Sequence, residues 1–319
     1  MARQKQGVKT KQSGPQSVHF AKFDGIVNTS PRTDIKPTEL HRCVNFDIDR
    51  NGLLSTRVGR TAVVSGAGYH SLFSDDNTRL VVCNGNLYGI GVDNALNLIR
   101  AGVGDTRMSY DVAPRGPESI YDDAIFYTNG IVLGYVKDGI SHDLAAPTEA
   151  YKSLPLPGQL LGFFNEMLFV CRSNVMQVSD AGRFASVDQR YGVLYLPNTI
   201  RMWLPVDDGF WASDEENLYF FSGMSVDRLV RTQALGYPVM ANSAVEVDSR
   251  VFGRRKEDVI GHAIMGRTWL FNTANGVYWV TKGGQFGNIT GRKYAGPSGT
   301  RGVSVYRRGN INQFICFVS

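Results

Sequence analysis

The residues best equipped for chemistry are three groups of acids, Asp122-Asp123, Asp207-Asp208 and Asp214-Glu215-Glu216. A glycosidase needs two carboxyls set across a sugar ring, one to donate a proton and one to attack or to activate water. Adjacent acids at the edges of apolar runs more often solvate a turn, and that is the role expected here. The five histidines (His19, His41, His70, His142 and His262) form no HxH or HExxH spacing, so no metal site is expected from them. Cys43, Cys83, Cys171 and Cys316 never approach a CxxC spacing, and Cys83 and Cys171 fall just before hairpin turns, as packing thiols would. No phosphate-cradling GxxxxGK[ST] loop and no dinucleotide fingerprint occurs. No cofactor and no catalytic residue is expected.

Basic residues offer a different chemistry, contact with phosphates or with an acidic partner. Arg3, Lys5, Lys9 and Lys11 lie in an N-terminal stretch without an acid, and Arg254, Arg255 and Lys256 form a second cluster. The formal net charge is +5 and the pI about 9.0, a balance that permits nucleic-acid contact without demanding it. Residues 1–17 hold almost nothing apolar and are expected to be a flexible arm. No apolar run approaches the roughly 18 residues of a membrane span. The N-terminus has no apolar core after its basic residues, which points to folding in a cytoplasm.

What must position these groups is a repeated hairpin. Arg79–Gly91, RLVVCNGNLYGIG, sets Asn84-Gly85 between two apolar runs, the strongest local hairpin signal, since both turn residues must accept a positive φ. The figure recurs around Asn129-Gly130 and Asn275-Gly276. Weaker copies surround Arg172-Ser173, Glu215-Glu216 and Arg308-Gly309. Most successive turns fall roughly 40–50 residues apart, the spacing of a propeller blade. The chain is therefore expected to be all-β, a single propeller over 18–319 with six blades, five or seven being the alternatives. A rim insertion is expected near 224–259, where Pro238 and several Ser and Asn residues interrupt the pattern. Because the chain ends on a strong strand, Gln313–Val318, closure by an N-terminal strand is expected, from Val18–Phe23 or Val44–Ile48. Thr38-Glu39-Leu40 and TEAYK (148–152) carry the faint helix signals.

Two resemblances remain. Ser74–Thr78, SDDNT, is faintly similar to the aspartate box of sialidase propellers but lacks its Gly and following Trp. Phe23–Gly59, with a Gly-Ile-Val-Asn segment, a Pro-rich lead-in and then VNFDIDRNGLLSTRVGR, resembles the N-terminal region of tailed-bacteriophage virion proteins. These are the tail hub, nozzle and packaged-DNA stabilisation components of short-tailed phages. Asn45, Asp47, Asp49, Gly52, Leu54, Arg57 and Gly59 meet the pattern, and fragments of likeness continue to Gly223. The resemblance implies a structural propeller in a virion tail or neck, set in a ring of like subunits, commonly six. It would dock on a portal or adaptor and on tail fibres, with non-specific contact to packaged DNA. In the motif, Asn51-Gly52 makes a turn and Arg57 is expected to pair with Asp47 or Asp49. The alternative is a carbohydrate-binding or carbohydrate-cleaving propeller.

Overall fold

The computed structural model describes residues 22–43, 46–48, 53–56, 62, 64, 66–75, 77–115, 120–248, 266–296, 299, 301–307 and 313–318. The chain divides into two compact units, Met1–Gly59 and Arg60–Ser319. The second is a β-propeller. Four antiparallel strands make each of the first two blades: Tyr69–Ser74, Arg79–Cys83, Asn86–Ile90 and Leu96–Arg100, then Ser109–Val112, Ile125–Thr128, Leu133–Lys137 and Ile140–His142. The third is Leu160–Phe164, Met167–Arg172, Val175–Asp180 and Arg183–Asp188, with Lys152–Ser153 and Val193–Tyr195 added to it. Met202–Val206, Gly209–Ser213, Leu218–Ser222 and Val230–Leu235 form the fourth. The fifth is Val245–Val247, Thr268–Thr273, Gly276–Val280 and Phe286–Asn288. A sixth sheet has two described strands, Gly302–Arg307 and Gln313–Val318.

The blades stand because their second strands are apolar on both faces, and period-2 alternation sends successive side chains to opposite neighbours. Ile125 and Tyr127 pack with Leu80, Val82 and Leu87 of the first blade, whereas Phe126 packs with Phe163 and Leu168 of the third. Phe169 and Cys171 face Phe210 and Ala212 of the fourth blade. Trp211 turns the other way, to Phe271 and Val280 of the fifth. Leu270 and Trp279 then meet Tyr306 and Phe314 of the sixth sheet. Five cores thus fill five successive interfaces.

Hydroxyls tie one blade to the next. Thr128, fully buried at the end of its strand, accepts a bond from Gly158 N (3.0 Å) and has its hydroxyl hydrogen within reach of the Val132 and Gly158 carbonyls. Ser213 repeats this two blades later, accepting from Val239 N at 3.1 Å and reaching the Asn217 carbonyl. Gly158 admits no side chain, since a Cβ there would lie 2.2 Å from the Cys171 carbonyl oxygen.

Several expectations meet differences. Asn84-Gly85 is the mirror-image turn expected, with φ of 48° and 72°. At Asn129 the side chain makes the turn instead: its carbonyl oxygen accepts from Ile131 N and Val132 N while its amide donates to Val103 O. The 275 turn sits one residue earlier, on Ala274-Asn275, because Thr273 pairs with Gly276. Within 224–259, Val230–Leu235 completes the fourth blade and Val245–Val247 opens the fifth, so the described part is not a rim insertion. An outer strand with four of its six residues exposed carries no apolar signal to announce it. Residues 249–259 lie outside the described residues. Glu39-Leu40 pairs in parallel with Gly25-Ile26 rather than starting a helix, and Lys152–Ser153 within TEAYK is a strand. Residues 18–59 were expected inside the propeller but belong to the first unit, where Phe46–Ile48 and Leu54–Thr56 form the hairpin expected around Asn51-Gly52. Of the two candidate closing strands, residues 18–21, 44 and 45 are outside the described ones. Phe46–Ile48 pairs with Leu54–Thr56, and Gln313–Val318 with Gly302–Arg307.

Replacing Thr128 with Val keeps the shape but leaves Gly158 N–H buried without an acceptor. The expected cost is about 1–3 kcal/mol, read as a drop of at least about 2 °C in thermal unfolding. An unchanged midpoint would show that the hydroxyl does not tie the two blades.

Candidate functional site

The inner strands of the first four blades and of the sixth sheet, with Asn242, Ala244 and Trp269 beside or within the fifth blade, line one axial cavity of about 1100 Å³. Neighbouring inner strands diverge too much to pair as a ladder, so side chains bond to the next strand's backbone. Ser71 Oγ accepts from Met108 N (2.8 Å), Ser109 Oγ from Leu161 N (3.1 Å) and Asp111 Oδ2 from Phe163 N (2.9 Å). Trp203 packs its indole onto Gly162, where a Cβ would come within 2.2 Å of the ring, and stacks on Phe169 at 5.0 Å.

Charge is arranged lengthwise. Where the inner strands begin, Arg107, Arg201 and Arg301 line the cavity. Arg201 is neutralised by Glu215 at 3.5 Å. Arg107 bonds to a neutral group, its guanidinium donating to Gly302 O at 3.3 Å. It is open to the cavity yet ringed by protein, and that partial desolvation lowers its pKa without removing its charge. At the other end a smaller space of about 460 Å³ is lined by Asp75, Asp111, Glu166, Glu246 and Arg267. Arg267 pairs with Glu246 at 3.0 Å. Burial pushes the Asp111 carboxyl up to about 6, against the opposing pull of Arg267 and its two backbone hydrogen bonds.

The acids singled out in the sequence do other work. The Asp207 carboxylate accepts from Arg267 N (3.3 Å) and lies 3.8 Å from Lys282 Nζ, while Asp208 accepts from Gly283 N (2.8 Å). Asp214 is buried and accepts from Glu216 N and Asn217 N, closing its own hairpin turn. Asp123 pairs with Arg115 at 2.8 Å. Asp75 likewise caps its turn, accepting from Asn77 N and Thr78 N. These groups are not brought together. Cys83 and Cys171 are both buried, Cys171 in the packing between the third and fourth blades, and burial raises the Cys171 thiol. Among the described residues no three His, Cys, Asp or Glu side chains group as metal ligands do, and no helix is long and apolar enough to cross a membrane.

Arg3, Lys5, Lys9, Lys11, Arg254, Arg255, Lys256, Asn45, Asp49, Gly52, Arg57 and Gly59 lie outside the described residues, as does the expected pairing of Arg57. Asp47 falls in the Phe46–Ile48 strand opposite Ser55. The cavity set (His70, Arg107, Tyr110, Asp111, Trp203 and Arg301) was missed. A signal existed: an arginine opens three of the inner strands, in TRMSYDV, IRMWLPV and TRGVSVY.

No family model matches the chain, and no curated protein does. Among solved structures the chain is similar to BBS1N in its complex with ARL6DN, at 8% identity and TM-score 0.48, covering 76% of this chain and 72% of that one. It is similar to a catalytically inactive virginiamycin B lyase from Staphylococcus aureus with quinupristin, at 11% identity and TM-score 0.39, over 76% and 75%. The AfRom2 CNH domain gives 6% identity and TM-score 0.34, over 72% and 82%. Likenesses this distant carry no functional argument.

The buried Asp111 makes a pH prediction. Its pKa is higher folded than unfolded, so the unfolded chain ionises first as pH rises. Stability from this group is full below about pH 4 and falls through about pH 6. Urea unfolding at several pH values should show the wild-type advantage over Asp111→Asn shrinking across that window. A pH-independent difference would contradict the burial of the carboxyl.

Proposed function

We propose that this chain is a structural subunit of a bacteriophage virion, a tail hub, nozzle or neck-ring component rather than an enzyme. The observation that carries the reading lies in the unit bearing the family-like motif. Its hairpin, Phe46–Ile48 with Leu54–Thr56, leaves Phe46 44%, Leu53 53% and Leu54 36% exposed. Three large apolar side chains on one short hairpin are a docking feature, because water contact at each is unfavourable until another surface covers them. Like subunits in a ring are the proposed cover. The propeller itself supplies a rigid body whose sheets leave only short edges, suited to forming a channel wall and to bearing load. Portal or adaptor, tail fibres and packaged DNA are the further partners. The basic groups Arg3, Lys5, Lys9, Lys11, Arg254, Arg255 and Lys256 would meet phosphates.

The carbohydrate-cleaving reading has less support, since Asp207 and Asp208 are each engaged in holding loops. Purified protein is expected to leave polysaccharides intact. Cleavage that disappears in Asp207→Asn or Asp208→Asn would favour the enzyme.

Mass spectrometry of purified virions should find the chain in multiple copies. A Phe46→Ser, Leu54→Ser double variant should keep the thermal unfolding of the propeller and lose more than about tenfold in incorporation. Absence from virions, or undiminished incorporation of the variant, would overturn the reading.

A further inference from the structure

The axial cavity has a composition that the assembly role does not require. Two of its three mouth arginines, Arg107 and Arg301, are in no ion pair among the described residues. They are neighbours: Arg107 donates to the carbonyl of Gly302, the residue next to Arg301. Arg301 is itself fixed by a parallel bridge to Ala241, with Gly302 N donating to Ala241 O at 2.7 Å. Asp105 is the acid at this mouth. It lies over the first-blade turn instead, where a Cβ on Gly85 would be 3.7 Å from its Oδ1. Two arginines that meet no acid leave this mouth of the cavity positively charged, and an anion entering it would be drawn there.

The wall adds hydrogen-bond donors. His70 Nε2, Tyr110 OH, Trp203 Nε1 and Ser304 Oγ are buried in it without a partner among the described residues. Trp203 Nε1 is a donor only. Ser71 Oγ already accepts from Met108 N and lies 2.8 Å from His70 Nδ1, so its hydrogen is placed to go to Nδ1. That arrangement leaves Nε2 carrying the histidine's proton. Burial raises the Tyr110 phenol, keeping it a donor. A buried polar group without a hydrogen bond is unfavourable, and a guest bearing acceptors would offset that. Met108, Leu161, Leu204, Val303 and Val305 are among the apolar residues of the lining. The one acid bonded within the wall, Asp111, is spent on Phe163 N and Val112 N.

We infer that the axial cavity is a binding site for a small organic anion, a carboxylate or phosphate ester on a compact carbon skeleton, with Arg107 and Arg301 holding the charged group. His70, Tyr110, Trp203 and Ser304 serve the skeleton's oxygens, and the volume lies near the range of small-molecule sites. The inference is independent of the virion reading, since it concerns the bore of one subunit and not the ring.

The test uses the full chain with four probes: inorganic phosphate, glucose 6-phosphate, glucuronate and uncharged glucose. Thermal unfolding and titration calorimetry should show saturable binding of at least one of the two organic anions, tighter than phosphate, and none for glucose. Saturable binding raises the midpoint as the logarithm of ligand concentration. Arg107→Gln with Arg301→Gln should weaken it at least about tenfold, a loss of about 1.4 kcal/mol. The ligand-free midpoint of the double variant, measured alongside, separates loss of the anion site from loss of the Arg107–Gly302 hydrogen bond. Trp203→Phe, which removes the indole N–H, should weaken the organic anions and spare inorganic phosphate. No saturable binding of either organic anion at about 10 mM would overturn the inference. So would equal binding by the double arginine variant, or glucose binding as well as glucuronate.

Discussion

The constraint on which the structure depends is that each blade's second strand is apolar on both faces. Such a strand cannot face water on either side, so every blade needs a neighbour on each flank. Ile125 and Tyr127 commit the second blade to the first, and Phe126 commits it to the third. Repeating that demand from Leu80 to Leu270 arranges the sheets about an axis. Where sheets fan out from an axis, their inner strands cannot share a hydrogen-bonded ladder. The orphaned backbone groups then fall to side chains, which is why Ser71, Ser109 and Asp111 reach across to the next strand. The polar lining of the cavity is thus a consequence of the packing at its periphery.

Two features of the chain bear on the proposed functions. Along the axis the described residues place arginines at one mouth and mostly acids at the other. The Met1–Gly59 unit carries a hairpin with exposed Phe46 and Leu54. A rigid body of this kind transmits force and presents surfaces, while a donor-rich bore recognises an acceptor-rich guest. The two proposed roles use different residues and do not compete.

Much of the fold was legible because hairpins announce themselves locally. Asn84-Gly85 needs positive φ at both residues, and only a few residue types tolerate it. The alternation in Ile125–Thr128 or Met167–Arg172 was harder to interpret, since a strand buried on both sides shows an unbroken apolar run. Outer strands were invisible for the opposite reason: Val230–Leu235 is mostly solvent-facing and reads as loop. The site was least legible. Arg107 and Arg301 lie 194 positions apart, by subtraction of their numbers, and only the folded ring brings Arg107 to the carbonyl of Gly302, beside Arg301. Asp207-Asp208 drew attention as an acidic pair, yet a two-residue turn explains them.

The most direct test of the account is a bromide soak of crystals of the full chain, read by anomalous scattering. An anion has no reason to settle in a cavity whose cations are satisfied. The account predicts an anomalous peak within contact distance of Arg107 and Arg301 at the mouth formed by the starts of the inner strands. Peaks confined to the outer surface, or at Arg267 beside the acidic mouth, would contradict it.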